Sequence, residues 1–212
     1  MKSTNEEQPQ LVPDINIDNL KDSRINKKIY ESLLIHLNQI PLLCNYQDST
    51  NYPDYPSYPL YYSDEGDKHK IYCLNPEDKE IVYYMEYEIQ SCDFIDQRWV
   101  TQIMHWRGGG EDLAYLTSYI LFDLVMPKLG LIMSDTIQTV KNEYFWEILV
   151  RYSFGKKRQF KVYFVNFQDK TFTLIPTYQK YIDLYNQLKP WKDTKFGKNY
   201  RFAIANLDLP AA

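Results

Sequence analysis

The sequence predicts an α/β (α+β) fold, in which an antiparallel strand meander leads into a β-α-β-α unit and a C-terminal hairpin plus helix. Three observations support this prediction. Residues 80–90 alternate in the period of a strand. A glycine run at 108–110 then separates a strand-like stretch from an apolar, helix-like one. Because a further apolar strand follows that helix, a crossover and a partly parallel sheet are expected.

Composition places the chain in a broad class. Its 212 residues suffice for one sizeable core, and no run of about 18 apolar residues is present to span a membrane. The polar start, residues 1–10, lacks the apolar region of a secretory signal. Cys44, Cys73 and Cys92 form no C-x-x-C pair, and the three histidines are scattered. We therefore expect a cytoplasmic protein without a metal site.

Charge is distributed unevenly along the chain. Residues 1–150 contain 12 Lys/Arg against 24 Asp/Glu, whereas residues 151–201 contain 12 Lys/Arg against 3 Asp. The basic part, which includes Lys156, Lys157, Arg158 and Lys161 among aromatic residues, could contact an anionic partner. It could equally attract the acidic part of the same chain. Because the whole chain is acidic, we expect no strong binding of nucleic acid.

The first third of the chain predicts one helix and one long loop. Asn26 can cap a helix that runs to about Ile40, and Pro41 ends it. Three Tyr-Pro pairs within residues 44–67 predict an extended loop, serving either as a groove-packing segment or as a stiff linker. The expected organisation is a flexible segment at 1–25, a single domain at 26–190 and a C-terminal extension at 191–212.

Three strands are predicted for the meander. Lys68–Leu74 and Glu80–Gln90 are joined by a turn at 75–79, and Trp99–Trp106 follows as the third strand. In the second strand, the odd positions should face the core. Glu86 and Glu88 then share the opposite face, toward solvent or a cleft.

The predicted central unit begins at the glycine turn. A helix spans Glu111–Met126 and is stopped by Pro127 and Gly130, and Leu131–Met133 forms a short buried strand. A second helix follows, with an apolar side formed by Val140, Tyr144, Ile148, Phe145 and Leu149.

The rest of the chain predicts a hairpin and a helix. Strands at Phe160–Phe167 and Thr171–Ile175 are joined by a turn at 168–170, and Thr177–Leu188 is helical. Residues 191–212 show no clear period.

This order of elements, over about residues 68–175, resembles the GNAT acyltransferase superfamily. The stretch Arg107-Gly108-Gly109-Gly110-Glu111-Asp112 is similar to that family's pyrophosphate-binding turn, Gln/Arg-x-x-Gly-x-Gly/Ala. The resemblance implies that Arg107 and the amides of Gly108, Gly109 and Gly110 contact acetyl-coenzyme A at a helix N-terminus. Asp112 departs from the pattern, because a small residue is expected at its position.

A second stretch resembles GNAT-like proteins of phages and bacterial mobile elements. It comprises residues 130–139, which include a Ser134-Asp135 pair, and the helical Phe145-Trp146 that follows. The resemblance places Ser134 among the cofactor-binding residues. Many family members carry a tyrosine at the Trp146 position, where it protonates the leaving thiolate. Indole cannot do so, and the proton would then come from Tyr144 or from water.

The resemblance implies an N-acyltransferase that moves an acetyl group from acetyl-coenzyme A to an unidentified amine. Glu86, Glu88 or His105 would deprotonate that amine, directly or through water, and a strand N–H would stabilise the oxyanion. Each residue also has a structural interpretation: the two glutamates as a solvated strand face, His105 as a partly buried histidine and Trp146 as core. The alternative function is a non-catalytic module of the same fold that binds a protein or nucleic acid.

Overall fold

The computed structural model describes residues 15–36, 42–45, 58–92, 94–108, 116–134, 140–155, 160–188, 199–206 and 208–209. Two compact units are formed. The first comprises Met1–Glu86 and Met104–Ala114, and the second comprises Tyr87–Ile103 and Tyr115–Ala212. The sequence prediction had placed residues 26–190 in one domain.

The fold is mixed α+β. The helices are α1 (Ser23–His36), α2 (Leu116–Tyr119), α3 (Met126–Leu129), α4 (Val140–Ser153) and α5 (Tyr178–Leu188), with a 3-10 turn at Ile17–Lys21 and a π-helical segment at Ile120–Val125. The strands are β1 (Leu42–Asn45), β2 (Pro59–Glu65), β3 (Lys68–Asn75), β4 (Glu80–Cys92), β5 (Ile95–Arg107), β6 (Leu131–Met133), β7 (Lys161–Asn166), β8 (Thr171–Ile175) and β9 (Tyr200–Ala205).

In the part of the chain that the structure describes, hydrogen bonds join the strands in the order β1-β2-β3-β4-β5-β6-β9-β7-β8. The sheet is open and mostly antiparallel. β5 and β6 pair in parallel at Val100 and Ile132, while β6 and β7 both pair antiparallel to β9. The predicted crossover and partly parallel sheet are therefore confirmed.

The predicted start of α1 at Asn26 is wrong by one turn. The Asp22 carboxylate accepts hydrogen bonds from the Arg24 and Ile25 amides, so that Asp22 caps a helix beginning at Ser23. Asn26 is instead buried inside the helix. Its side chain donates to the carbonyls of Leu20 and Ile81 and accepts from the Ile81 amide, which fastens α1 to β4.

The core of the first unit lies between α1 and one face of β3 and β4. Tyr30 and Leu33 of α1 pack with Tyr72, Leu74 and Tyr84 in one buried cluster. Ile15 and Leu20 belong to the same cluster and precede the helix. Ile15 and Leu20 therefore already belong to the core, although the sequence suggested a flexible segment through residue 25.

The predicted loop at 44–67 is partly wrong. Pro59–Glu65 forms β2, which pairs antiparallel with β3, and Leu42–Asn45 forms β1. Proline is tolerated here because Pro59 is the first residue of its strand, where a missing N–H disturbs the ladder least. The first two Tyr-Pro pairs, at 52–53 and 55–56, lie outside the described residues.

The meander hairpin is confirmed, and its turn recurs in the second unit. Asn75 accepts hydrogen bonds from the amides of Glu77 and Asp78, and Asn166 accepts in the same way from those of Gln168 and Asp169.

Each turn closes on a lysine with positive φ: Lys79 at 57° and Lys170 at 56°. All five odd positions of β4 are buried as predicted, namely Ile81, Tyr83, Met85, Tyr87 and Ile89.

In the second unit, a continuous helix over 116–129 connects the parallel strands β5 and β6. Pro127 was expected to stop this helix but does not. A π turn precedes it, in which the Met126 amide bonds to the Leu121 carbonyl, and this wider turn accommodates the proline ring. Gly130 ends the helix as predicted, with φ of 76° and an amide bond to Met126.

The apolar side predicted for α4 is wrong in part. Tyr144 is 66% exposed and Ile148 is 41% exposed. Of the predicted residues, Leu149 is buried, and it shares the buried side with Trp146 and Val150, which were not predicted to face the core. Trp146 is therefore a core residue. Val140 lies at the start of α4, where its side chain is outside the described residues.

The hairpin of β7 and β8 and helix α5 are confirmed, but β9 was not predicted. Phe202, Ala203, Ile204 and Ala205 are fully buried, because β9 lies between β6 and β7 in the sheet. A strand covered on both faces carries a continuous apolar run rather than an alternating one, so the run lacked the expected signal.

Among the described residues, no helix has both the length and the apolar character needed to cross a membrane.

Candidate functional site

His105, one of the predicted general bases, lies near the end of β5 in the first unit. Its ring stacks on Tyr83 of β4, with ring centroids 6.5 Å apart and planes 29° apart. Burial lowers the pKa of His105, and the nearby positive charge of Arg107 lowers it further. The imidazole is consequently neutral near pH 7 and has a ring nitrogen able to accept a proton.

Arg107 and Gly108 follow His105 at the start of the proposed phosphate turn. The Arg107 side chain is exposed. The Gly108 amide donates a hydrogen bond to the Val82 carbonyl at 2.8 Å, so it is already engaged in the sheet.

A Cβ at Gly108 would lie 3.2 Å from the Val82 carbonyl oxygen and 3.3 Å from the Trp106 ring. Close packing against Val82 and Trp106 is therefore sufficient reason for a glycine at this position, and no ligand is needed to account for it. Gly109, Gly110 and Asp112 lie outside the described residues.

Glu86 lies on the opposite face of β4 from the His105 ring. It accepts a hydrogen bond from the Tyr84 hydroxyl at 2.7 Å, and Tyr84 packs in the α1 cluster. Tyr83, the stacking partner of His105, must face the other way because side chains alternate along a strand. Glu86 and His105 therefore cannot act on one substrate atom as neighbouring bases.

The other predicted residues belong to the second unit. Ser134 is buried, and its hydroxyl accepts the Phe202 amide at 3.0 Å while its own amide donates to the Phe202 carbonyl at 2.8 Å. These bonds fasten the end of β6 to β9. Tyr144 is mostly exposed on α4, and Glu88 is half-buried on β4.

The β2–β3 hairpin carries a buried polar group that was not predicted. The His69 ring is 5% exposed, its Nδ1 lies 2.6 Å from the Tyr62 hydroxyl, and the two rings stack. The Asp64 carboxylate lies 3.7 Å from the same nitrogen. A Lys-His-Lys sequence at the start of β3 was the available signal, but such a stretch ordinarily indicates a solvated strand end.

On the other face of this hairpin, Lys70 is completely buried. Its Nζ donates to Glu65 Oε2 at 2.8 Å. The second carboxylate oxygen, Glu65 Oε1, is buried and has no hydrogen-bond partner among the residues that the structure describes. A buried lysine paired in this way is unusual, because removing an ammonium group from water is costly unless it is paired.

No protein-family model matches the chain, and no curated protein matches it. The class that the structure itself defines is a mixed α+β fold built on a large, mostly antiparallel sheet.

Proposed function

We propose that the protein is a GNAT-fold N-acyltransferase that transfers an acetyl group from acetyl-coenzyme A to an amine. The observation that carries this proposal is the parallel pairing of β5 and β6 at Val100 and Ile132. The strand meander leads into β5, a helix joins the pair, and β9 flanks β6 in the antiparallel sense. The order meander, helix and parallel strand agrees with the order that the resemblance implies, whereas β9 lies outside the residues that the resemblance covers.

His105 is the proposed base. A neutral imidazole takes the proton from the attacking amine as the nitrogen bonds to the thioester carbon, and the carbonyl electrons move onto oxygen. Collapse of that intermediate expels the coenzyme A thiolate, which takes a proton from water. Glu86 is the less suitable base because its carboxylate already accepts a hydrogen bond from the Tyr84 hydroxyl and lies 3.8 Å from the Lys68 ammonium.

The fit to the cofactor's phosphates is partial among the described residues. The exposed guanidinium of Arg107 suits a pyrophosphate, since guanidinium groups bind phosphate oxygens in a bidentate manner. The Gly108 amide donates a hydrogen bond to the Val82 carbonyl, so it is not available to bind a phosphate oxygen in this conformation. The phosphate contacts proposed for backbone amides therefore fall to Gly109 and Gly110.

Titration calorimetry with acetyl-coenzyme A tests this function. The unaltered chain should bind it, and His105→Gln should bind with the same affinity while losing acetyl transfer to a panel of amines. Glu31→Gln, an exposed change on α1, is the matched control and should retain both properties. Absence of binding at millimolar acetyl-coenzyme A would remove the enzymatic proposal.

The alternative is a non-catalytic binding module of the same fold. Two observations favour it. The Gly108 amide already donates to the Val82 carbonyl, and a buried Trp146 occupies the position at which many members of the family carry the tyrosine that protonates the thiolate. An electrophoretic shift at low salt separates its nucleic-acid form from the enzyme. Submicromolar binding that weakens with salt and in Lys156→Glu/Arg158→Glu would support the module, whereas we expect no shift.

A further inference from the structure

The end of the described chain lies back on strand β7 of the second unit. Asp208 and Leu209 follow β9 and lie outside that strand. Leu209 is 8% exposed and belongs to a buried cluster whose other buried members lie on strands β5 to β9. Its amide donates a hydrogen bond to the Tyr163 hydroxyl at 3.3 Å, and the Asp208 carboxylate forms an ion pair with Lys161. This tail therefore contacts β7 through one charge, one hydrogen bond and one apolar side chain.

Four side chains on one face of the sheet form the surface that receives the tail. Lys161 of β7 is paired with Ala205 of β9, and Tyr163 is paired with Ala203, so all four share a face. We call this group the tail seat. Because alanine side chains are short, the surface over β9 is lower than the surface over β7. The tail seat thus presents a cation, a hydroxyl acceptor and an apolar floor, which together suit an acidic residue followed by an aliphatic one.

The tail is held on this surface by interactions that are individually weak. Asp208 is 83% exposed and Lys161 is 39% exposed, and ion pairs between exposed groups contribute little to stability. Chain ends also open locally at a small cost in free energy. A separate peptide of the same chemistry can therefore displace the tail, although it competes with a tethered segment whose effective concentration is on the order of millimolar.

We propose that the tail seat is a docking site for an extended peptide of a partner protein in which an acidic residue directly precedes an aliphatic one. The peptide carboxylate pairs with Lys161, the next amide donates to Tyr163, and the aliphatic side chain replaces that of Leu209. The excess of positive charge over residues 151–201, which include Lys161, favours such an acidic partner.

In this arrangement the chain's own Asp208-Leu209 is an internal competitor that occupies the tail seat until a partner peptide displaces it. The docking site is independent of the proposed acyl transfer, because it uses none of the residues assigned to that reaction.

Fluorescence anisotropy with a labelled peptide, Leu-Asp-Leu-Pro-Ala-Ala, which has the sequence of residues 207–212, tests the proposal. The tail of the full-length variant Asp208→Ala/Leu209→Ala no longer competes, so this double variant should bind the peptide saturably. The unaltered chain should bind it more weakly, by about tenfold or more. No saturable binding to the folded double variant, or equal binding to both proteins, would overturn the docking site.

A further variant and a second peptide locate the charge contact. In the double variant, Lys161→Gln should weaken peptide binding by about threefold and reduce its dependence on salt. A peptide with asparagine in place of its aspartate should bind the double variant with a similarly reduced affinity. Lys180→Gln changes another exposed lysine of the second unit and is the matched control, which should bind normally. Unchanged affinity after the Lys161 change would show that the peptide binds elsewhere.

Hydrogen exchange in the unaltered chain decides the matter if the double variant does not fold. Excess unlabelled peptide should displace the tail and accelerate exchange of the Leu209 amide, which then loses its hydrogen bond to Tyr163. A peptide with serine in place of both leucines is the control and should leave the exchange rate unchanged. An exchange rate that the first peptide does not alter, or that both peptides raise equally, would refute the proposal.

Discussion

At the scale of single residues, the lowered pKa of His105 affects both the proposed reaction and the stability of the folded chain. Burial and Arg107 lower the pKa of His105 in the folded protein, whereas an unfolded chain has the ordinary value of about 6.5. Protonation therefore favours the unfolded state. The stabilising contribution is fully present above the unfolded pKa, and it is lost as the pH falls from there through the folded pKa.

The resulting prediction concerns acid sensitivity. Between pH 7.5 and pH 5.5, the unaltered chain should lose more free energy of unfolding than His105→Gln, whose side chain does not titrate. Urea denaturation at the two pH values measures the difference. Equal losses in the two proteins would show that His105 titrates no differently in the folded and unfolded chain. In the proposed reaction the same lowered pKa should keep activity high down to slightly acidic pH.

At the scale of secondary structure, helix α4 offers a matched pair of aromatic residues two positions apart. Trp146 is 3% exposed and Tyr144 is 66% exposed. Trp146→Ala should reduce the free energy of unfolding by about 3–5 kcal/mol, because it leaves a large cavity in the core. Tyr144→Ala should change it by less than about 0.5 kcal/mol.

Thermal or chemical denaturation of both variants measures these values. The comparison also separates the roles proposed for the two aromatic side chains. If Tyr144 protonates the departing thiolate, Tyr144→Phe should lower acetyl transfer with no change in stability. A Trp146→Ala protein with native stability would contradict its assignment to the core.

The two hairpin turns, each built on Asn-x-x-Asp-Lys, allow a second prediction at this scale. Lys79 and Lys170 adopt left-handed backbone conformations, with φ of 57° and 56°. Such a conformation costs a side-chain-bearing residue about 1–2 kcal/mol, while glycine loses about 0.5–1 kcal/mol of extra conformational freedom on folding.

Lys79→Gly and Lys170→Gly should therefore each stabilise the protein, by about 0.5–1 kcal/mol. The neighbouring changes Asp78→Gly and Asp169→Gly are the controls and should destabilise, because each aspartate accepts a hydrogen bond from its turn asparagine. Midpoints of urea unfolding decide the sign. Destabilisation by both lysine changes would mean that the turns hold their shape through the lysine side chains.

At the scale of the whole molecule, the sequence predicted most elements but misplaced several of their faces. Apolar residues at every second position identified β4, and strand-like apolar runs identified the hairpin of β7 and β8. Apolar residues at helical spacing identified α4 and α5. The faces of α4 were misassigned because its apolar residues surround much of the helix, and only tertiary packing selects the Trp146 side. Asn26 shows the same limit, since its partners on Ile81 are 55 positions away in sequence.

The candidate site was predictable only in part. Local spacing was sufficient to place His105 and Arg107 on one strand, and both lie on β5, whereas their proposed roles stay predictions. Placing Glu86 with His105 required knowing which faces of β4 and β5 coincide, which depends on packing against α1. The burial of the Glu65–Lys70 ion pair could not be predicted, because buried and solvated ion pairs have the same sequence pattern.

Strand β9 shows how much the second unit depends on the end of the chain. It pairs with β6 over Ala203, Ile204 and Ala205 and with β7 over six register positions. Ser134 adds a hydrogen bond to the Phe202 amide. Removing this strand would leave one edge of β6 and one edge of β7 without backbone partners, which strongly disfavours the folded state.

A chain truncated after residue 198 should accordingly lose the tertiary packing of the second unit, even though the sequence suggested that 191–212 is only an extension. Near-ultraviolet circular dichroism and amide hydrogen exchange in residues 161–175 should both report this loss. The full-length variant Asp208→Ala is the control, because it removes only an exposed ion pair with Lys161 and keeps β9. Native protection of β7 in the truncated chain would mean that β9 is dispensable, and would make the β7–β8 hairpin and α5 sufficient to close the sheet.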